Sequence, residues 1–270
     1  MVITSRQQSN PRTIGAHLNR LALIIFVDRE ISIGRSQIPD DFAKISVRSL
    51  ESGSTSQNRQ KMLEIQDFFS ACIGTWKTER TYHYVRHNEV ERSYTEFKVA
   101  GLESAEKYHI SSAFLPVGSI AATDEIAQFP GFRIGFATVS EKGERVSMNL
   151  NALFVPDRAI TAPHLLPVDP LAPAMPLVAE ISDSSELIRG LYLRDEGYSE
   201  SGAITGRFTY QPTRQTLELV TYYSRSVAVD QLRLINSHSR LRTIVTYQRP
   251  QPGEVPTEID LVGFGLEQKS

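Results

Sequence analysis

The feature that most constrains the fold is a series of ten short runs rich in aromatic and β-branched residues, which starts near residue 75. Most runs alternate apolar and polar side chains, the pattern of a half-buried β-strand. Turn sequences rather than helical segments join most of them, which favours antiparallel neighbours over a parallel sheet. The predicted strands are 75–86, 90–100, 132–140, 145–155, 187–198, 203–211, 215–224, 226–236, 239–248 and 257–267.

An antiparallel meander of this size exposes two edges unless it closes on itself. The sequence therefore predicts an all-β fold, an antiparallel up-and-down β-barrel of about ten strands that is closed or nearly closed. A short N-terminal helix precedes the first strand, and Gly74 is its predicted stop. Its helical spacing is carried by five apolar residues, Leu63, Ile65, Phe68, Phe69 and Cys72.

Residues 1–61 differ in composition from the barrel domain predicted for 62–270. They carry nine basic and five acidic side chains, a net charge of +4, whereas the remainder carries −6. Without a sustained apolar period they cannot bury a core, so a disordered N-terminal extension is predicted. Three interpretations stay open: a transit peptide, since the first 27 residues hold three arginines and no acid; a basic tail that contacts a partner; or a mis-called start upstream of Met62.

Two insertions interrupt the predicted meander. Residues 101–131 read as a helix-and-loop excursion. Residues 156–182 contain six prolines and no strong period, so they are predicted to form a loop without regular structure. Loops of this length are uncommon unless they are functional or disordered. The second insertion is either a lid at the mouth of the barrel or a solvated insertion.

Composition and motifs exclude several classes of function. The formal net charge of −2 gives no basic field for nucleic acid, and the longest apolar run, residues 21–27, is far shorter than a membrane span. Cys72 is the single cysteine and is expected to be a buried, inert thiol, and the histidines lack metal-ligand spacing. No nucleophile elbow, phosphate loop or dinucleotide fingerprint is present. We therefore expect no metal, no permanent cofactor and neither hydrolase nor redox chemistry.

The first predicted strand carries two candidate site residues, Trp76 and Arg80. They share a face with Thr78, Tyr82 and Tyr84, but the opposite face also carries charged residues, so the sequence does not assign the lumen. Trp76 is interpreted either as a barrel-closing core aromatic or as a ligand contact. An arginine among aromatic side chains suits an anionic, conjugated ligand, and it also suits a solvent-exposed face.

A second group of candidates lies on two later strands. Arg240 and Arg242 are two residues apart and so project to the same side, where paired guanidinium groups suit carboxylates or a phosphate. Asp230 precedes them on the neighbouring strand. It is either their salt-bridge partner or, if it faces the lumen, an acceptor for N–H donors on a ligand.

Several ordered segments of the chain resemble the S/U-type phycobiliprotein lyases, which attach bilins to cysteines of light-harvesting proteins. The resemblance covers about residues 62–267. It is carried by Asp67-Phe68-Phe69, Gly74-Thr75-Trp76, Glu79-Arg80-Thr81, Leu193-Arg194-Asp195-Glu196-Gly197-Tyr198, Gly206-Arg207-Phe208 and Arg240-Leu241-Arg242-Thr243. It implies a lipocalin-like, ten-stranded barrel with an N-terminal helix, which agrees with the fold predicted from the strand pattern.

The resemblance also implies a mechanism and a site. The barrel would bind an open-chain bilin, such as phycocyanobilin or phycoerythrobilin, as a substrate, and a cysteine of an apo-phycobiliprotein α or β subunit would add to its ethylidene group. Catalysis would lie in orienting the pigment. Arg240 and Arg242 would bind propionates, Asp230 would act as the catalytic carboxylate near the pyrrole nitrogens, and Arg80 and Trp76 complete the predicted bilin-binding set.

The chain departs from the family pattern at two places. The family commonly shows Glu-Arg-x-Trp-Phe where this chain has residues 230–234, and Ile244 replaces a frequent serine. A non-enzymatic bilin carrier, or a subunit that acts with a second lyase chain or as a homodimer, is therefore the alternative to an independent lyase. The expected location is the cytoplasm of a cyanobacterium, or the plastid stroma if residues 1–61 are a transit peptide.

Overall fold

The ten strands predicted from the sequence are all present. A computed structural model describes residues 62–120, 123–163, 186–197 and 202–270. The strands are β1 Gly74–Tyr84, β2 Glu89–Gly101, β3 Gly131–Ser140, β4 Arg145–Pro156, β5 Ile188–Arg194, β6 Ile204–Gln211, β7 Thr216–Tyr222, β8 Ser226–Asn236, β9 Ser239–Gln248 and β10 Ile259–Lys269. The predicted extension at 1–61 lies outside the described residues.

The strands form one closed antiparallel barrel. Each strand pairs with its neighbour in the chain, and β1 pairs with both β2 and β10, which closes the sheet. This confirms the lipocalin-like up-and-down barrel and removes the open edges that a ten-stranded meander would have. Within the described ranges, no helix has the length and apolar character needed to cross a membrane.

The predicted N-terminal helix, α1 (Ile65–Cys72), covers one end of the barrel. Its apolar side chains are buried and pack on the inward aromatics, with the Phe69 ring stacked on Phe132 at 4.5 Å between centroids and edge-on to Phe154 at 4.6 Å. Gly74 starts β1 with a φ of +132°, a conformation that glycine adopts readily, which explains why the helix stops there. Cys72 is buried as predicted, and burial raises the pKa of its thiol.

The insertion predicted at 101–131 is a helix and loop, as expected. It contains α2 (Ser104–Phe114) and a 3₁₀ turn, Thr123–Gln128. Ile110 and Phe114 of α2 pack with outward leucines of β4 and β5, so this element covers one outer face of the barrel. The alternation of apolar and polar residues is weak in β5 and in the second half of β4, because both faces of the sheet are buried there.

The insertion predicted at 156–182 differs from expectation at its beginning. Asp157–Ala159 form a 3₁₀ turn, and Ile160 makes a β-bridge with Ile120. Pro156 has a φ of −63°, which suits the entry to such a turn, and a pattern-based assignment misses a turn this short. Residues 164–182 lie outside the described residues.

Candidate functional site

The side-chain alternation of the barrel resolves which face of β1 lines the lumen. Trp76 and Arg80 point inward and are buried, with exposed fractions of 0% and 8%, whereas Lys77 and Glu79 are exposed on the outer face. The inward side of β1 could not be predicted because both faces carry charge.

The structure brings the candidates of three strands together. Arg240 and Arg242 of β9 and Asp230 of β8 project inward, as Arg80 does from β1, and β10 separates β1 from β9. Because Arg240 and Arg242 share one face of β9, both guanidinium groups reach the same carboxylate of β10.

That carboxylate belongs to Glu267, which sequence reasoning missed. Its exposed fraction is 0%, and its oxygens accept hydrogen bonds from Arg80 Nη2 at 3.0 Å, Arg240 Nε at 2.5 Å and Arg242 Nε at 2.8 Å. We call Arg80, Arg240, Arg242, Asp230 and Glu267 the arginine cluster. With three guanidinium groups and two carboxylates, its formal charge is +1.

A signal for Glu267 was present in the sequence of the last strand. In Gly263-Phe264-Gly265-Leu266-Glu267 the small residues alternate with large ones, so Glu267 shares the inward face with two glycines. A Cβ at Gly265 would lie 3.0 Å from Arg80 Cγ, and one at Gly263 would lie 2.7 Å from the Tyr82 ring. Glycines at these positions leave room for long inward side chains from β1.

Electrostatics keep Glu267 ionised in the buried cluster. Burial alone would raise the pKa of Glu267, but the guanidinium groups of Arg242, Arg240 and Arg80 outweigh burial and hold the pKa well below its ordinary value. The carboxylate therefore fixes the positions of three arginines at any neutral pH, which is the condition for a preformed anion site.

Of the two interpretations of Asp230 left open by the sequence, the structure shows the salt bridge, and the role as an acceptor for a ligand stays a prediction. Its Oδ2 accepts a hydrogen bond from Arg242 Nη1 at 2.6 Å, so it is a salt-bridge partner. Its Oδ1 is buried and has no hydrogen-bond partner among the described residues. One oxygen thus orients Arg242, and the other has no partner on the inward face of β8.

Burial divides the predicted site residues into two levels. Trp76 is fully buried, donates its indole N–H to Cys72 O at 2.8 Å and has the Arg240 guanidinium 4.1 Å from its ring centroid. The side chain of Arg240 is 2% exposed, against 15% for Arg242 and 23% for Asp230. Trp76 and Arg240 lie against the helix-covered end, and Arg242 and Asp230 are more exposed to solvent.

Two of the sequence segments that resemble the lyase family have structural roles away from the cluster. Asp195 directly follows β5 and accepts hydrogen bonds from the backbone N–H and the Nδ2 of Asn151 at 2.7 and 2.8 Å, which ties the end of β5 to β4. A Cβ at Gly206 would lie 2.6 Å from Val220 O, so only glycine fits that approach between β6 and β7.

The residues that depart from the family pattern differ in their position relative to the arginine cluster. Arg233 is exposed on the outer face of β8, so its side chain points away from the arginine cluster. Leu234 points inward, packs in the core and is the register partner of Arg240, so the aromatic residue of the family pattern is missing beside the cluster at this position. Ile244 is the register partner of Asp230 and is the departure closest to the predicted carboxylate.

The closed barrel holds an interior cluster of formal charge +1 and a carboxylate oxygen without a partner among the described residues, an arrangement suited to an anionic organic molecule that carries N–H donors. A family model described as CpeS-like protein matches residues 64–162 and 174–270. The curated relative "Chromophore lyase CpcS/CpeS 1" of Synechococcus sp. (strain JA-3-3Ab) is 40% identical over 204 residues, 75% of this chain and 94% of the relative. The chain therefore belongs to the CpeS-like protein family.

A solved structure is also similar, the S-type phycobiliprotein lyase CPES from Guillardia theta. It matches with a TM-score of 0.52 at 14% identity, over 76% of this chain and 92% of that chain. At this identity the likeness shows the fold. Together, the comparisons confirm the family, the barrel and the class of enzyme, a chromophore lyase, that the sequence predicted.

Proposed function

We propose that this protein binds an open-chain tetrapyrrole bilin in its barrel and promotes thioether attachment of the bilin to a cysteine of an apo-phycobiliprotein subunit. The observation that carries the proposal is the arginine cluster, which has a formal charge of +1 in a buried lumen and a carboxylate oxygen left available. A bilin offers the complementary groups, two propionates and the N–H donors of its pyrrole rings. Membership of a family that contains a chromophore lyase supports this ligand class.

The two levels of the site suggest a division of roles. Arg242, whose side chain is 15% exposed, binds a propionate directly, because a charge-assisted bond in a low-dielectric interior is strong. Arg240, held under Trp76, positions Glu267 and so acts on the ligand through the cluster. Trp76 closes the barrel rather than contacting the pigment. Of the four residues predicted to bind bilin, Arg80 and Arg242 are therefore proposed to contact the pigment, and Trp76 and Arg240 are not.

Asp230 has the position for a catalytic carboxylate. Its free oxygen accepts pyrrole N–H bonds and stabilises a pigment that is protonated on nitrogen. Protonation withdraws electrons from the conjugated system, which makes the ethylidene carbon a better electrophile. The acceptor thiolate then forms the C–S bond, and the proton ends on the adjacent ring carbon. The nucleophile belongs to the partner, so the lyase supplies orientation and electrostatics.

Co-expression tests the proposal. The protein is produced together with bilin-synthesis enzymes and an apo-phycobiliprotein subunit, and the acceptor is examined after denaturation in acid. Covalent, acid-stable colour on the acceptor is expected. An acceptor that stays colourless in the presence of coloured barrel protein would contradict lyase activity and favour the carrier. Binding of fatty acid but no bilin would contradict the ligand class.

The second candidate is a non-enzymatic bilin carrier, or one subunit of a lyase that needs another chain or a second copy of itself. Ile244 favours it, because an apolar side chain opposite Asp230 gives the pigment no hydroxyl group at that position. We place the protein with its phycobiliprotein acceptor, in the cytoplasm of a cyanobacterium or in the stroma of a plastid.

A further inference from the structure

The lumen contains a buried hydroxyl group that the proposed roles do not use. Ser93 lies on the inward face of β2 and is 3% exposed. Its Oγ is buried and has no hydrogen-bond partner within the part of the chain that the structure describes. Buried hydroxyl groups in folded proteins are nearly always hydrogen-bonded, so one that faces the barrel interior without a partner is a candidate ligand contact.

Ser93 lies directly beside the arginine cluster. It is the register partner of Arg80, and residues paired in this way on one face have Cβ atoms about 4.5–5.5 Å apart. The next position in this direction is Gly265, where a Cβ would lie 3.0 Å from Arg80 Cγ, and Gly265 is the register partner of Arg242. Four inward positions on adjacent strands therefore follow in order around the barrel. They are the hydroxyl group of Ser93 on β2, the guanidinium group of Arg80 on β1, the glycine at 265 on β10 and the guanidinium group of Arg242 on β9.

Arg80 supplies the second element of this site. Its Nη2 donates to Glu267 and its Nη1 donates to Tyr82 OH at 3.3 Å. Its Nε is buried and has no partner among the described residues. Nε of Arg80 and Oγ of Ser93 are thus two buried atoms without a partner on adjacent strands, and each carries a hydrogen that it can donate.

The number and type of these donors define the acceptor. A carboxylate is best bound by the fork of two guanidinium N–H groups, and in Arg80 each terminal nitrogen already directs one N–H to an oxygen of the protein. Two single donors on neighbouring strands suit one oxygen with two lone pairs, as in a carbonyl group.

On this basis we propose that Ser93 and Arg80 Nε together bind a terminal lactam carbonyl of the bilin, and that Ser93 is a specificity-determining residue of the lumen. The inference rests on the proposed function. It gives the pigment a defined orientation, with N–H groups toward Asp230 on β8 and a carbonyl oxygen toward β1 and β2. A hydrogen bond to a carbonyl that is part of the conjugated system also changes the absorption maximum of the pigment.

The test is titration of full-length variants with phycocyanobilin, followed by fluorescence and absorption. Ser93→Ala is expected to weaken binding roughly 3- to 10-fold and to shift the absorption maximum. Ser93→Thr keeps a hydroxyl group and is expected to retain both properties. The unfolding temperature of Ser93→Ala is expected to equal or exceed that of the parent protein, because the substitution removes no hydrogen bond between described residues.

Thr95→Val is the matched control. Thr95 is also buried and inward on β2, but its hydroxyl is bonded to Thr138 Oγ at 2.9 Å. This variant is expected to lower the unfolding temperature and to leave the bilin spectrum unchanged. If Ser93→Ala binds phycocyanobilin with the parent's affinity and spectrum, the inference is overturned while the proposed function stands.

The dimethyl ester of phycocyanobilin identifies which oxygen is bound. If the acceptor is a ring carbonyl, the affinity ratio between parent and Ser93→Ala is the same for the free acid and the ester. A ratio that falls toward one with the ester assigns the contact to a propionate and overturns the carbonyl assignment. If the parent binds neither compound, the proposed function itself fails.

Discussion

The two ends of the barrel interior differ in how completely their polar atoms are bonded. At the end covered by α1, which we call the barrel floor, the Trp76 N–H and the Tyr210 OH donate to backbone carbonyls at 2.8 and 2.6 Å. In the arginine cluster above it, Arg80 Nε and Asp230 Oδ1 have no partner among the described residues. The chain itself supplies the hydrogen-bond partners of these floor atoms, whereas the described residues supply none for these two atoms of the cluster. We infer that the floor supplies stability and the cluster supplies ligand binding.

The largest expected effect is on the barrel floor. Phe69→Ala removes a ring that stacks on Phe132 and contacts Phe154, so it should lower the free energy of unfolding by about 4 kcal/mol. Urea denaturation measures the change. Phe264→Ala, at a ring that is 45% exposed on the outer face, is the control and should cost far less. Equal losses for the two variants would mean that the floor is not the main source of stability.

Glu267→Gln tests the boundary between the two regions. It leaves three buried guanidinium groups without their shared carboxylate, and should lower the free energy of unfolding by about 3 kcal/mol and also weaken bilin binding. Glu79→Gln changes an exposed carboxylate of β1 and should alter neither property. A stable Glu267→Gln variant with normal binding would remove the basis for a preformed cluster.

Arg242→Ala should weaken bilin binding more than it lowers stability. Removal of one charge-assisted bond is expected to weaken phycocyanobilin binding about 30-fold, with a smaller effect on stability, because Glu267 keeps Arg80 and Arg240. Spectroscopic titration measures the affinity. Arg233→Ala, at an exposed position on β8, is the matched control. An unchanged titration curve for Arg242→Ala would contradict the direct role given to this residue.

The smallest expected effect is a pH dependence. The pKa of Glu267 is lowered in the folded protein from an ordinary value of 4.5. Its contribution to stability is complete above about pH 4.5, and it is lost as pH falls, because the unfolded chain takes up the proton first. The stability difference between the parent and Glu267→Gln should shrink by about 1.4 kcal/mol per pH unit below 4.5. Denaturation at several pH values measures it, and a constant difference would contradict the pairing.

The same comparison explains how much the sequence could predict. The strands, the helix and the floor follow from local patterns: period-two alternation, and the helical spacing that ends before Gly74. Asp230, Arg240 and Arg242 were found because they lie within twelve residues of one another on adjacent strands. Charged side chains close in sequence are visible without the fold.

Glu267 could not be found in this way. It bonds to Arg80 across a separation of 187 residues, and only barrel closure between β1 and β10 brings the two together. The inward face of β1 was also ambiguous, because charges occur on both faces. Ser93 carries no local signal, since a serine on a strand is ordinary until its neighbours and burial are known. Long-range register determines the site, whereas local pattern determines the fold.

The most direct test of the account follows the pigment from the barrel to its acceptor. The protein is loaded with phycocyanobilin, freed of excess pigment, mixed with an apo-phycobiliprotein subunit and denatured in acid. Colour is expected to leave the barrel protein and to remain covalently on the acceptor, and Asp230→Asn is expected to bind pigment but to transfer it more slowly. Pigment that stays with the barrel protein, or washes off both chains, would contradict it.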